Sequence, residues 1–234
     1  MDQVFIPPPP PPPPPFVPAP PAVAPIPWED PSRPPAPALI ETVKLFVTDM
    51  AQAFRRMPVA GDIGRPLLYA VIVGSIGPII AQVYSLFLPN PIYRILQERF
   101  AGQAGSELFH RSAAAGVFGI VFVPMAVVIG LFIGAGIVHV CLMMVGGANS
   151  GFVATLRVVC YASTGQLAQV VPLIGGLLAF VFVVILEMKG LEIAHRTTTG
   201  KAIAAVLIPV AVCCVCVVLF VVTLGAAIFG MLNR

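Results

Sequence analysis

Charge is what this sequence lacks. Of its 234 residues only 10% are charged, against about 25% in an ordinary soluble domain, while 58% are hydrophobic. With a mean hydropathy of +0.97, a chain of this length cannot hide its apolar residues in a water-soluble core, so lipid must be the solvent for most of it. The long apolar stretches 66–88, 113–148, 158–186 and 202–233 contain no Asp or Glu. That speaks against a proton-coupled pump or ion exchanger built on buried carboxylates. The 13 basic residues are dispersed and the net charge is only +3, which excludes the basic patch that nucleic-acid binding requires.

Other absences narrow the class further. The start, Met1-Asp2-Gln3-Val4-Phe5-Ile6 before a proline run, has neither the basic nor the helical apolar region of a secretory signal, so no cleavage is expected. No strand-like alternation and no 20–50-residue repeat is present, which argues against a barrel or a solenoid. The five cysteines all lie in apolar runs and read as small hydrophobes. His139 and Cys141 stand two apart, hence on different helix faces, and Cys213 with Cys216 offers only two ligands, so neither a metal nor a cofactor is expected. Thr199-Gly200-Lys201 is no phosphate loop, because His195 stands where that loop needs glycine. No Ser, His and carboxylate set is arranged for catalysis, and the expectation is a non-enzyme.

Proline, by contrast, is abundant and uneven: 18 of 26 prolines fall within residues 1–37. This segment reads as a disordered tail. Its run at 7–15 should form a polyproline II rod of roughly 28 Å, either a stiff spacer or a docking strip anchored by Phe5, Phe16 and Trp28. Residues 38–58 place Leu39, Val43, Phe46, Met50, Phe54 and Met57 at helical spacing with charges between them. They predict one amphipathic helix, lying in the membrane interface or packed on the mouth of the bundle.

Residues 59–234 then read as an all-α membrane domain of five transmembrane helices, at about 66–88, 118–145, 152–171, 172–188 and 203–230. Pro66 opens the first and Pro124 kinks or begins the second. Pro172 with Gly175-Gly176 splits the third apolar stretch into a hairpin. With five spans and the N-terminus inside, nine of the 13 Lys and Arg residues lie on the cytoplasmic side, against seven for four spans. Residues 91–111 read as a second interfacial helix. Arg157 should snorkel to headgroups or meet the 187–201 loop, and Tyr161 should hydrogen-bond across helices. Gly130-x-x-x-Gly134, Gly136 and the glycines at 74, 77, 225 and 230 serve helix packing within the chain or homo-oligomerisation. The loop carrying Glu187, Lys189, Glu192, His195 and Arg196 gathers charge of both signs, and with Arg65 and Asp62 it is the candidate partner-binding face.

Several features taken in order resemble the Ypt/Rab-interacting-protein (Yip) family in its bacterial-like branch, over about residues 45–230. They are Phe54-Arg55-Arg56-Met57, Asp62-Ile63-Gly64-Arg65-Pro66-Leu67, Ile137-Val138-His139, Gly146-Gly147, Thr155-Leu156-Arg157 through Tyr161-Ala162, Val171-Pro172-Leu173-Ile174-Gly175, and Gly190-Leu191 with His195, Gly200 and Lys201. The resemblance implies a five-helix, non-enzymatic protein of the bacterial inner (cell) membrane, N-terminus cytoplasmic. Eukaryotic relatives bind small GTPases and help trafficking; Asp62 and Pro66, and Tyr161 with Pro172, match the two family motifs. The function expected is a membrane-organising or trafficking-like adaptor with a cytoplasmic partner. The alternatives are a small permease or channel subunit for a neutral solute, lined by Gln82, Ser85, Asn149, Ser163, Thr164, Gln166 and Gln169, and a lipid-directed enzyme using His110, His139 or His195.

Overall fold

A computed structural model describes residues 24–87 and 113–232, and among them every regular element is helical. The first element of the described residues is a 3-10 turn, Pro27–Glu29, followed by α1 (Pro35–Thr48) and α2 (Met50–Arg56). The single amphipathic helix expected over 38–58 is therefore two. Asp49 breaks it with φ −147° and ψ 77°, and its carboxylate accepts the Gln52 N–H at 2.9 Å, as an N-cap does. The buried stripe of α1 is Ala38, Thr42 and Phe46, one face at i, i+4 and i+8. Phe46 meets Phe54 of α2 edge-on, ring centroids 5.0 Å apart. Both helices thus pack on the bundle, the second of the two placements expected for this segment.

The tail drawn over 1–37 also needs correction, since from Ile26 onward the chain is part of the core. Ile26 is fully buried. Trp28 donates its backbone N–H to Thr42 Oγ1 at 3.0 Å and its indole Nε1–H to the Arg65 carbonyl at 2.7 Å, while Arg65 Nη1 returns a bond to the Trp28 carbonyl at 3.2 Å. Two large apolar side chains with satisfied polar groups outweigh the proline-rich composition around them. Residues 1–23, and the helix expected over 91–111, lie outside the described residues.

The membrane domain follows as α3 (Gly64–Phe87), α4 (Ala113–Met144), α5 (Gly151–Ala162), a 3-10 segment (Ser163–Val170), α6 (Gly175–Ala194) and α7 (Thr199–Leu232). Three stretches are long and apolar enough to cross a bilayer: Gly64–Ser85, Gly119–Met144 and Thr199–Thr223. The second and third are only 11% buried within the protein. Val121, Phe122, Met125, Ile129, Phe132 and Ile133 of α4 face outward, as does α7 from residue 211 to 223. Surfaces this apolar are stable only against lipid tails.

The third and fourth expected spans are a helical hairpin built differently from expectation. After Ala162 the chain tightens into the 3-10 segment, where the Ser163 and Thr164 hydroxyls donate back to the Cys160 and Tyr161 carbonyls at 2.6 and 2.7 Å. Pro172 lies in the turn and does not open the next helix, which begins at Gly175. Leu173, 82% exposed, takes φ +67° there. The 3-10 backbone touches its neighbours directly. A Cβ on Gly77 of α3 would come 1.9 Å from the Gln166 carbonyl oxygen, and one on Gly165 would come 2.7 Å from the Val183 nitrogen of α6. Glycine is required at both places. Gly130, Gly134, Gly136 and Gly225 have open space where a Cβ would stand, so packing among the described residues does not explain them.

At the end opposite that turn, α4 and α6 close in the same way. Gly146 and Gly147 donate to the Met143 and Leu142 carbonyls at 2.9 and 2.8 Å, with Gly146 at φ +65°. Arg196 and Thr197 repeat the pattern onto Ile193 and Glu192 at 3.3 and 3.1 Å, with Arg196 at φ +47°. Both are Schellman closures, and Lys201 Nζ donates to the Gly146 carbonyl at 2.9 Å.

Candidate functional site

An arginine in an apolar run must find an anion or remain hydrated, and Arg157 on α5 finds one from the far N-terminus. Its Nη2 donates to Glu29 Oε1 at 2.6 Å and to Oε2, and its Nη1 donates to the Asp62 carbonyl. The Arg157 side chain is 1% exposed and that of Glu29 13%, so this ion pair is removed from solvent. Tyr161, one helical turn on from Arg157, donates its hydroxyl to Glu29 Oε1 at 2.5 Å. The expected bond of Tyr161 therefore exists, but its acceptor comes from the 3-10 turn and not from a transmembrane helix. Arg157 does not snorkel.

The aromatic shell around this pair fixes its geometry. Tyr161 stacks on Phe46 at 5.2 Å and lies 5.1 Å from Tyr69 of α3, which lies 6.3 Å from Trp28. Tyr69 shares a 2.7 Å hydrogen bond with Thr164 Oγ1. Since Thr164 already donates its proton to the Tyr161 carbonyl, Tyr69 is the donor. Beside the pair a cleft of about 330 Å³ is lined by Glu29, Pro31, Asp62, Arg65 and Arg157.

A second polar cluster joins the two Schellman ends. Ser150 donates its N–H to His195 Nδ1 at 3.1 Å, which leaves the proton of a neutral ring on Nε2, directed at Thr155 Oγ1 at 2.9 Å. Thr155 then donates to His139 Nδ1 at 2.8 Å. Asn149 and Ser150 also cap α6 by donating side-chain hydrogens to the His195 and Ala194 carbonyls at 3.0 and 2.7 Å. Burial of His195, with His139 nearby, pushes its pKa down to about 4.

Between α4 and the hairpin lies a cavity of about 490 Å³. One face of α4 supplies Val123, Val127, Gly130 and Gly134, the 3-10 segment supplies Ser163, Gln166 and Gln169, and α6 supplies Val183 and Glu187. Residues 44–230, most of the chain and all of this geometry except Trp28, Glu29 and Pro31, match the Yip1 domain. The chain belongs to the Yip1-domain family. It is an integral membrane protein of that family, and no curated protein and no solved structure gives a match.

Within the Yip1 domain the positions that the resemblance assigns to family motifs are drawn together at one end and separated at the other. Asp62 offers its carbonyl to Arg157, Pro66 is buried in the first turn of α3, and Tyr161 completes the pair. Pro172 stands apart at the hairpin turn. The residues suggested as a partner face are not one surface. Glu187 lines the cavity, His195 is buried, Arg65 holds Trp28, and Lys189 pairs with Glu192 at 3.0 Å next to exposed Arg196. Of the seven polar residues suggested as a solute path, Ser163, Gln166 and Gln169 meet in the cavity, whereas Thr164 and Asn149 are engaged elsewhere. His110 lies outside the described residues. Glu29 and Tyr69 were not anticipated; the signal for Glu29 was the isolated Arg157, which needed a carboxylate, and the lone Trp28 directly before one.

Removing one partner of a buried pair leaves the other charge uncompensated. Glu29→Ala should lower the stability of the detergent-solubilised chain by about 3–5 kcal/mol, and Glu29→Leu with Arg157→Met should recover most of that loss; thermal unfolding followed by circular dichroism measures both. His195 gives a pH signature of definite sign. The unfolded ring binds a proton near pH 6.5 and the folded ring only near 4, so stability is complete above pH 6.5 and falls by roughly 3 kcal/mol as pH drops toward 4. Unfolding midpoints across that window should show the loss, and His195→Gln should flatten it.

Proposed function

We propose that this protein is a non-enzymatic membrane adaptor of Yip type that binds a cytoplasmic protein through its proline-rich N-terminus and transmits that binding to the bundle. The observation that carries the reading is the Glu29–Arg157–Tyr161 lock. Residues 1–23 lead straight into a turn whose Ile26 and Trp28 are seated in the domain and whose Glu29 neutralises its buried arginine. A partner gripping the proline strip therefore pulls on the charged centre of the membrane domain. By family resemblance the partner is a small GTPase or a protein of that regulatory class.

The topology in this reading has the N-terminus and the 187–201 loop in the cytoplasm, at a bacterial inner membrane, with the hairpin of α5, the 3-10 segment and α6 crossing twice. The 12 α-helical and 8 3-10 residues before the turn give about 34 Å, enough to traverse the hydrocarbon. The length of α7 that stands clear of the bundle is the surface on which a second copy would pack, so homo-oligomerisation goes with this reading.

Two experiments test it. Crosslinking in intact membranes should recover a stoichiometric cytoplasmic partner from the full chain and lose it on deletion of residues 1–23. A cut through residue 60 is unsuitable, since it removes Phe46 and Phe54 from the core. Recovery of the same partners from both chains would refute the adaptor reading. For topology, Leu173→Cys in a cysteine-free background should react with a membrane-impermeant maleimide added outside cells; protection there would show that the hairpin does not reach the far surface.

A further inference from the structure

A carboxylate on a helix that lies in lipid should have a cation or several donors beside it. Glu187 has neither among the described residues. It lies on α6 one turn before Gly190, and a Cβ on Gly190 would press on Val158 and on the Phe54 ring of α2 at 2.5 and 2.7 Å. Glu187 thus stands where the apolar run 158–186 meets the charged residues that follow it, level with the packed lead-in helix. The neighbouring cations are engaged: Lys189 with Glu192, and Arg157 with Glu29. Gln166 and Gln169, which share the cavity with Glu187, are hydrogen-bonded to one another. The carboxyl group is left facing a space of about 490 Å³, a volume typical of small-molecule sites with apolar walls and a few polar groups.

The shape of that space says what fills it. Its α4 wall is apolar and, at Gly130 and Gly134, bare, since a Cβ there would meet nothing within 4 Å. Helices α4 and α6 line it together with Gly74 and Pro78 of α3 and scarcely pack on each other; α7 packs against both, but its residues 211–223 are exposed and none of it lines the cavity, which leaves a lateral way in between α4 and α6. We propose that it binds a membrane lipid whose headgroup carries a primary ammonium, with Glu187 as the counter-ion and the acyl chain laid along the Val123–Val127–Gly130 face of α4. A primary ammonium donates hydrogen bonds to the carboxylate; a quaternary ammonium has none to give, and a net anionic headgroup without an amine is repelled. The proposal rests on the hairpin lying in the bilayer but not on the adaptor role.

The test is lipid retention by the purified full chain. Nanodiscs made with equal amounts of phosphatidylethanolamine, phosphatidylcholine and phosphatidylglycerol are dissolved in mild detergent, and native mass spectrometry reads the lipids still bound. Phosphatidylethanolamine should be retained about tenfold over either of the others. Glu187→Gln should abolish that preference, and so should Gly130→Leu, which fills the open space from the opposite wall at a position where a Cβ meets nothing within 4 Å. Circular dichroism and monodispersity establish that both variants are folded. Equal retention of the three lipids by the unaltered chain, or an unchanged preference in folded Glu187→Gln, would overturn the proposal. Partner crosslinking is scored separately, so failure here leaves the adaptor reading standing, and the reverse.

Discussion

The buried pair of Arg157 with Glu29 is the interaction on which the end of the bundle that carries the N-terminal turn depends. It joins residues 128 positions apart, and around it the aromatic rings of Phe46, Tyr69, Tyr161 and Trp28 take up positions that exclude water. Desolvating two charges is expensive, and further hydrogen bonds offset part of that cost: Tyr161 donates to Glu29, and the Asp62 carbonyl accepts from Arg157, while Arg157 Nε is buried without a partner among the described residues. A hydrophobic substitute of the same volume could stabilise as well. What the ion pair adds is register, since only one segment of the tail carries a carboxylate behind a tryptophan.

The segment that supplies Glu29 precedes the residues that match the Yip1 domain, while Arg157, Tyr161 and the Asp62 carbonyl lie inside it. The domain's charged centre is thus completed by a piece of chain that is continuous with the proline run. The His195–Thr155–His139 chain plays the complementary part at the ends of α4 and α6. There the polar groups satisfy helix ends, and one neutral histidine holds two Schellman closures side by side.

Lipid exposure and close packing divide the same helices. Gly77 and Gly165 admit the 3-10 backbone against α3 and α6, whereas Gly130 and Gly134 look into the cavity. The same residue type therefore serves opposite ends: one pair removes space and the other preserves it. Glu187 lines the same cavity as the second pair.

The sequence by itself determined that the chain lives in a membrane, where its apolar helices lie, and that the glycine pair after α4 and the proline near 172 interrupt them. Those properties follow from composition and local periodicity, which act within a few residues. Only the tertiary structure decided that Ile26, Trp28 and Glu29 belong to the core, that the lead-in helix breaks at Asp49, and that Arg157 is paired and not snorkelling. Composition pointed the other way at the tail, because prolines dominate its average while three side chains carry its energy. A partner 128 residues distant leaves no local periodicity to read; burial and charge balance selected it once the helices had packed.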